Sequence, residues 1–135
     1  MPKVKMGIVD VREVAQAHLN AIKIDEAKNQ RFILTNRTVW MSEFAKWLHD
    51  EFGHQGYNFN PSDMRWFVLK IASWFKPEVK NLLFSWEKDY TFDNTNSRNI
   101  LKVDYNEDLP KCVKEMAYKM IESGSIVDKR PKAKL

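Results

Sequence analysis

Arg31-Phe32-Ile33-Leu34-Thr35 is the stretch that most constrains this chain. It is an apolar run too short for a helix, and it reads as a strand buried on both faces. Such a strand needs paired neighbours on either side. The sequence supplies few. Gly7-Ile8-Val9 reads as a second short strand, Tyr57 to Phe59 as a short extended piece, and Tyr90-Thr91-Phe92 as another. The rest of the chain is patterned for about six helical segments, so a self-contained sheet is not expected.

The helices carry their own signals. Asp10 and Glu13 form a D-x-x-E capping pattern, and Val11, Val14, Ala15, Leu19 and Ile22 then recur at helical spacing as a buried face. From Ser42 a second helix places Met41, Phe44, Ala45, Leu48 and Phe52 in phase, with Gly53 as its stop. Ser62 or Asp63 is set to cap a third, with Met64, Phe67, Val68, Ile71 and Phe75 aligned and Lys76-Pro77 ending it. Pro77 suits the first turn of a fourth, carrying Val79, Leu82, Leu83 and Trp86. After the capped short helix of DNTNSRNIL comes a final amphipathic one with Leu109, Val113, Met116, Ala117, Met120 and Ile121, closed by Gly124. No repeat or low-complexity linker interrupts this order.

Charge and cysteine content narrow the function classes. The net charge is +4, but DKRPKAKL at the C-terminus alone holds four basic residues and one acid, a net +3, leaving +1 on residues 1 to 127. A body with interspersed charges is no nucleic-acid stripe, and the tail reads as a solvated terminus. Cys112 is the single cysteine, which excludes a disulfide framework and points to a reducing, cytoplasmic setting. No apolar run approaches the roughly 20 residues that cross a bilayer, and no leader pattern opens the chain. No nucleic-acid or membrane partner is expected.

Catalytic chemistry has no visible home. His49 and His54 are five apart with Gly53 between them, which is not a zinc pair, and His18 reads as a structural histidine beside an apolar helix face. Cys112 has no patterned histidine partner. GHQG follows a helix, whereas a dinucleotide-binding turn follows a strand and opens a helix. No catalytic, cofactor-binding or metal residue is therefore assigned. The stretch WFVLKIASWFKPEVKNLLFSW is different in kind: Trp66, Phe67, Trp74, Phe75, Phe84 and Trp86 fall on more than one helical face. Two packed helices covered by an adjoining domain explain it, as would a lined pocket or a partner surface.

The order of motifs resembles a known family. GIVDVREVAQAHLNAI, RFILTN, WMSEFAKWL, FDNTNSRNILKVDY and a closing amphipathic helix look like the C-terminal part of extended short-chain dehydrogenases/reductases, over roughly residues 6 to 124. The nearest likeness is to the dihydroflavonol reductase, cinnamoyl-CoA reductase and methylglyoxal reductase-like branch of the epimerase/dehydratase superfamily. The resemblance implies an α/β fold: the helix-rich C-terminal portion of a Rossmann-type reductase, with few short strands and without the dinucleotide-binding half. Residues 1–60 would be late Rossmann elements, 61–127 a helical substrate-binding lobe and 128–135 a basic flexible tail. Arg31 to Thr35 would be a late strand of the cofactor-domain sheet, flanked by the first helix.

What the resemblance implies chemically is hydride transfer to a small carbonyl substrate from NADP(H) or NAD(H). The family's Gly-rich loop is absent here, as is its Tyr-x-x-x-Lys, in which the lysine lowers the phenol's pKa. Tyr57, Tyr90, Tyr105 and Tyr118 are followed four residues on by Pro61, Asn94, Leu109 and Glu122. The expected function is thus the substrate-lobe part of an aldehyde or ketone reductase, binding no cofactor alone. Its partner would be the missing N-terminal half, or neighbouring chains covering a bare sheet edge. The alternatives are a reductase-derived, non-catalytic subunit of an assembly and a helical small-molecule-binding module. Residues 1 to 135 expressed alone are expected to be poorly soluble or molten, because the Phe32 to Leu34 strand lacks partners.

Overall fold

The computed structural model describes residues 1–62, 64–75 and 77–130. Asp63, Lys76 and residues 131–135 lie outside the described residues, as does the Phe75 side chain, so the expected Asp63 cap, the Lys76 stop and most of the basic tail fall there. The described elements run β1 (Lys5–Ile8), α1 (Val11–Lys23), β2 (Arg37–Trp40), α2 (Met41–Phe52), α3 (Trp66–Phe75), α4 (Pro77–Phe84), α5 (Thr95–Asn99) and α6 (Leu109–Glu122), with two short 3-10 turns. The helix-rich α/β expectation is met: β1 and β2 form the two-stranded sheet of the described residues. They pair antiparallel, since the Asn36 N–H donates to Ile8 O and the Met41 N–H to Val4 O.

The chain divides into two compact units. The unit of residues 6–39 and 89–109 is built around α1. Asp10 accepts from the Arg12 N–H, and the Glu13 side chain returns to the Asp10 N–H at 3.1 Å, forming the capping box foreseen from the sequence. The core beneath α1 is Ala17, Ala27, Leu101, Val103 and Tyr105, with Val9, Ala21, Ile24, Phe32, Leu34 and Ile100 packed against it. Side-chain amides lace it together: Asn20 Nδ2 donates to Leu101 O, and Asn94 Nδ2 to Thr35 O.

Two expectations fail in this unit. Residues 31–35 are extended but carry no ladder, and Ile33 is half exposed. The strand that does pair is the next one, Arg37–Trp40. Nothing among the described residues offers the flanking strands that a doubly apolar run needs. The α1 face expected to be buried is also turned out: Val11 is 78% and Ile22 83% exposed, and Leu19 is exposed too. The helix rests instead on small Ala17 and on Glu13. Periodicity finds a face, but it does not say which neighbour is present to cover it.

The unit of residues 1–5, 40–88 and 110–135 packs α2 against α6. Leu48, Phe52, Tyr57, Val113, Ala117 and Ile121 form its core, with Phe44, Trp47, Phe59 and Tyr118 at the edge. Glu51 links the two helices: its carboxylate meets Lys114 Nζ at 2.9 Å and accepts the Tyr118 hydroxyl at 2.7 Å. Gly53 follows the last residue of α2, as expected; it keeps right-handed helical angles (φ −58°) and leads into a 3-10 turn. Gly56, at φ +88°, ends it. Gly124, at φ +75°, closes α6 as expected. α3 begins at Trp66 and not at a Ser62 cap, and it buries Leu69 and Ser73 while Phe67, Val68 and Ile71 face outward.

Candidate functional site

Each of the residues weighed for chemistry finds an ordinary local place. The His18 ring sits on the surface of α1 with Nδ1 2.7 Å from Val14 O, so it is satisfied by its own helix. His49 and His54 are both exposed, and no group of three metal-ligating side chains gathers among the described residues. Cys112 is buried in α6. The hydroxyls of Tyr57, Tyr105 and Tyr118 are engaged. Tyr105 shares a buried hydrogen bond with Ser97 Oγ at 2.8 Å, Tyr118 donates to Glu51, and Tyr57 donates to Val127 O. The Glu51 carboxyl lies below the ordinary carboxylate range because Lys114 and then Tyr118 hydrogen-bond its charged form.

What stands out is uncovered apolar surface, on each unit separately. In the unit of α1, Val11, Leu19 and Ile22 lie within one stripe of the helix, and Ile33 is exposed on the extended segment. In the other unit, Trp66, Phe67, Ile71 and Trp74 of α3 and Phe84 of α4 are exposed, Trp74 at 77% and Phe84 at 75%. Cations lie on these rings: Lys70 Nζ is 4.7 Å from the Trp66 centroid and Lys88 Nζ 3.5 Å from that of Phe84.

The α2–α6 unit also holds a concavity of about 370 Å³, lined by Phe52, Tyr57, Phe59, Ala117, Ile121 and Ile126 with Asn58, Val127 and Lys129 at its edge. Its outer lip is held by one phenol: Tyr57 Oη donates to Val127 O and accepts the Lys129 N–H, each at 3.1 Å. Sequence reading took Tyr57 to Phe59 only as an extended piece, and the pattern held no signal for this groove. Its walls come from residues 52, 57, 117 and 126, which only the packing of α2 on α6 brings together.

No protein-family model matches the chain, and no curated protein does. Two solved structures are similar in fold. One is Gre2 of Candida albicans in complex with NADPH, at TM-score 0.59 and 24% identity, covering 90% of this chain and 31% of that one. The other is the yeast methylglyoxal/isovaleraldehyde reductase Gre2, also with NADPH, at TM-score 0.61 and 21% identity, covering 93% of this chain and 36% of that one. The likeness extends along almost the whole of this chain and about a third of each reductase. The resemblance read from the motif order is thereby met in three dimensions: this chain has the fold of a partial, helix-rich section of a Rossmann-type reductase.

Proposed function

We propose that this chain is the C-terminal, substrate-lobe portion of an NAD(P)H-dependent aldehyde or ketone reductase. In the whole protein, a hydride passes from the reduced nicotinamide to a carbonyl carbon while a proton reaches its oxygen. Cofactor and proton donor are held by the N-terminal half, and no catalytic, nucleotide-binding or metal residue is assigned to residues 1–135. The observation that carries this reading is the fold likeness over nine-tenths of the chain to a third of two reductases bound to NADPH. The turned-out α1 stripe and the unpaired extended residues 31–35 support it, because a Rossmann sheet would pair the segment and cover the helix. A cytoplasmic setting goes with this reading.

The test is the intact mass of the native polypeptide, followed by NADPH titration monitored by nicotinamide fluorescence. A mass well above 16.0 kDa with saturable NADPH binding is expected. A native chain of that smaller mass, purifying with other proteins and indifferent to NADPH, overturns it in favour of a non-catalytic subunit.

A further inference from the structure

The groove between α2 and α6 belongs to a single unit and owes nothing to a dinucleotide-binding half. Its 370 Å³ is within the range of small-molecule sites. Three rings form one side: Phe52 and Tyr57 meet edge to face at 5.9 Å, and Tyr57 and Phe59 stack at 6.4 Å. Aliphatic Ala117, Ile121 and Ile126 also line the groove. The lip is built, not incidental. Gly56 takes its positive φ where the chain passes Lys129, and a Cβ there would meet Lys129 O at 3.3 Å. The Tyr57 hydroxyl then clasps the backbone of residues 127 and 129. This places the Lys129 ammonium 6.0 Å over the Tyr57 ring, and among the described residues no carboxylate pairs with it. Asp128 is taken by Arg130 at 2.8 Å.

We propose that this groove is a binding site for a small aryl-alkyl carboxylate, its ring among Phe52, Tyr57 and Phe59 and its carboxylate on the Lys129 ammonium. The apolar walls select a ring or short chain, and the Lys129 ammonium at the rim selects the acid over its neutral analogue. The amide of exposed Asn58 is the other polar side chain at the edge.

The experiment uses the full native polypeptide with 4-phenylbutyrate and 4-phenylbutanol as probes, read by calorimetry and by NMR shifts of the Tyr57 and Phe59 rings. The acid is expected to bind saturably and about fivefold more tightly than the alcohol, a preference that falls as salt is raised. Lys129→Gln, a surface change, removes the preference and leaves alcohol binding unaltered. Phe59→Ala weakens both probes, with circular dichroism confirming the fold. Equal binding of acid and alcohol by the natural protein, a preference that survives Lys129→Gln, or no saturable shift at the two rings overturns the proposal. The outcome is independent of whether the polypeptide binds NADPH.

Discussion

Glu13 offers the sharpest test of how this chain is held together. Its side chain is 93% withdrawn from solvent, being 7% exposed, and its two carboxylate oxygens serve different masters. Oε2 accepts the Asp10 N–H, which is local helix capping, while Oε1 accepts the N–H of Asn106, 93 residues away. A capping interaction alone is worth about 1 kcal/mol. A hydrogen bond to a charged acceptor adds roughly 1.5 to 3 kcal/mol when its loss leaves a shielded donor unmet. Glu13→Ala should therefore cost about 2 to 4 kcal/mol, against about 1 kcal/mol for Asp10→Ala, whose carboxylate caps α1 and meets the Arg12 guanidinium. At roughly 4 °C per kcal/mol the first change lowers the melting temperature by about 8 to 16 °C. Urea unfolding of the whole polypeptide measures the difference, and hydrogen exchange at the Asn106 amide should accelerate in Glu13→Ala and not in Asp10→Ala. Equal costs for the two variants, or an unchanged Asn106 amide, would refute the tertiary role given to Glu13.

Other outcomes follow from the same packing. Gly56→Ala, at φ +88° and close to Lys129 O, should lose about 1 to 2 kcal/mol, whereas Gly53→Ala, in helical geometry beside an exposed His49 ring, should be neutral or gain up to about 0.5 kcal/mol. Paired denaturation curves decide it, and the reverse ranking would refute the backbone strain assigned to Gly56. Because the folded-state pKa of Glu51 is lowered, its contribution is complete above the ordinary value of 4.5 and is lost as pH falls through the folded value. Glu51→Gln should thus cost about 0.5 to 1 kcal/mol at pH 7 and almost nothing at low pH, measured as midpoint differences. Replacing Trp74 and Phe84 with serine should raise the solubility of residues 1–135 expressed alone yet destabilise the whole polypeptide. A whole polypeptide unaffected by the change would mean that the two rings are not covered there.

Much of the local structure was legible because its causes are local. The Asp10–Glu13 box, the phase of α2 and the Gly124 stop all depend on groups within a turn or two of one another, and each formed as read; in α6 Leu109, Val113, Ala117 and Ile121 are buried while Met116 and Met120 are exposed. The failures share a different cause. Residues 31–35 have a strand's composition, but a strand exists only when a neighbour accepts its N–H groups, and that neighbour is not encoded nearby. The Val11, Leu19 and Ile22 stripe of α1 likewise has a helix's spacing, but it stays exposed because nothing among the described residues of its unit covers it.

By itself, then, the sequence determined which segments are helical, that the chain would be helix-rich with few strands, and the motif order that resembles a reductase. Those properties follow from spacing and capping, which act over a few residues. Tertiary structure alone decided that Glu13 would reach Asn106, that Tyr57 would clasp residues 127 and 129 beside an apolar groove, and that α1 and α3 would turn apolar side chains outward. Each of these depends on a contact, or a missing contact, between segments far apart in the chain, and no local pattern encodes the distance between them.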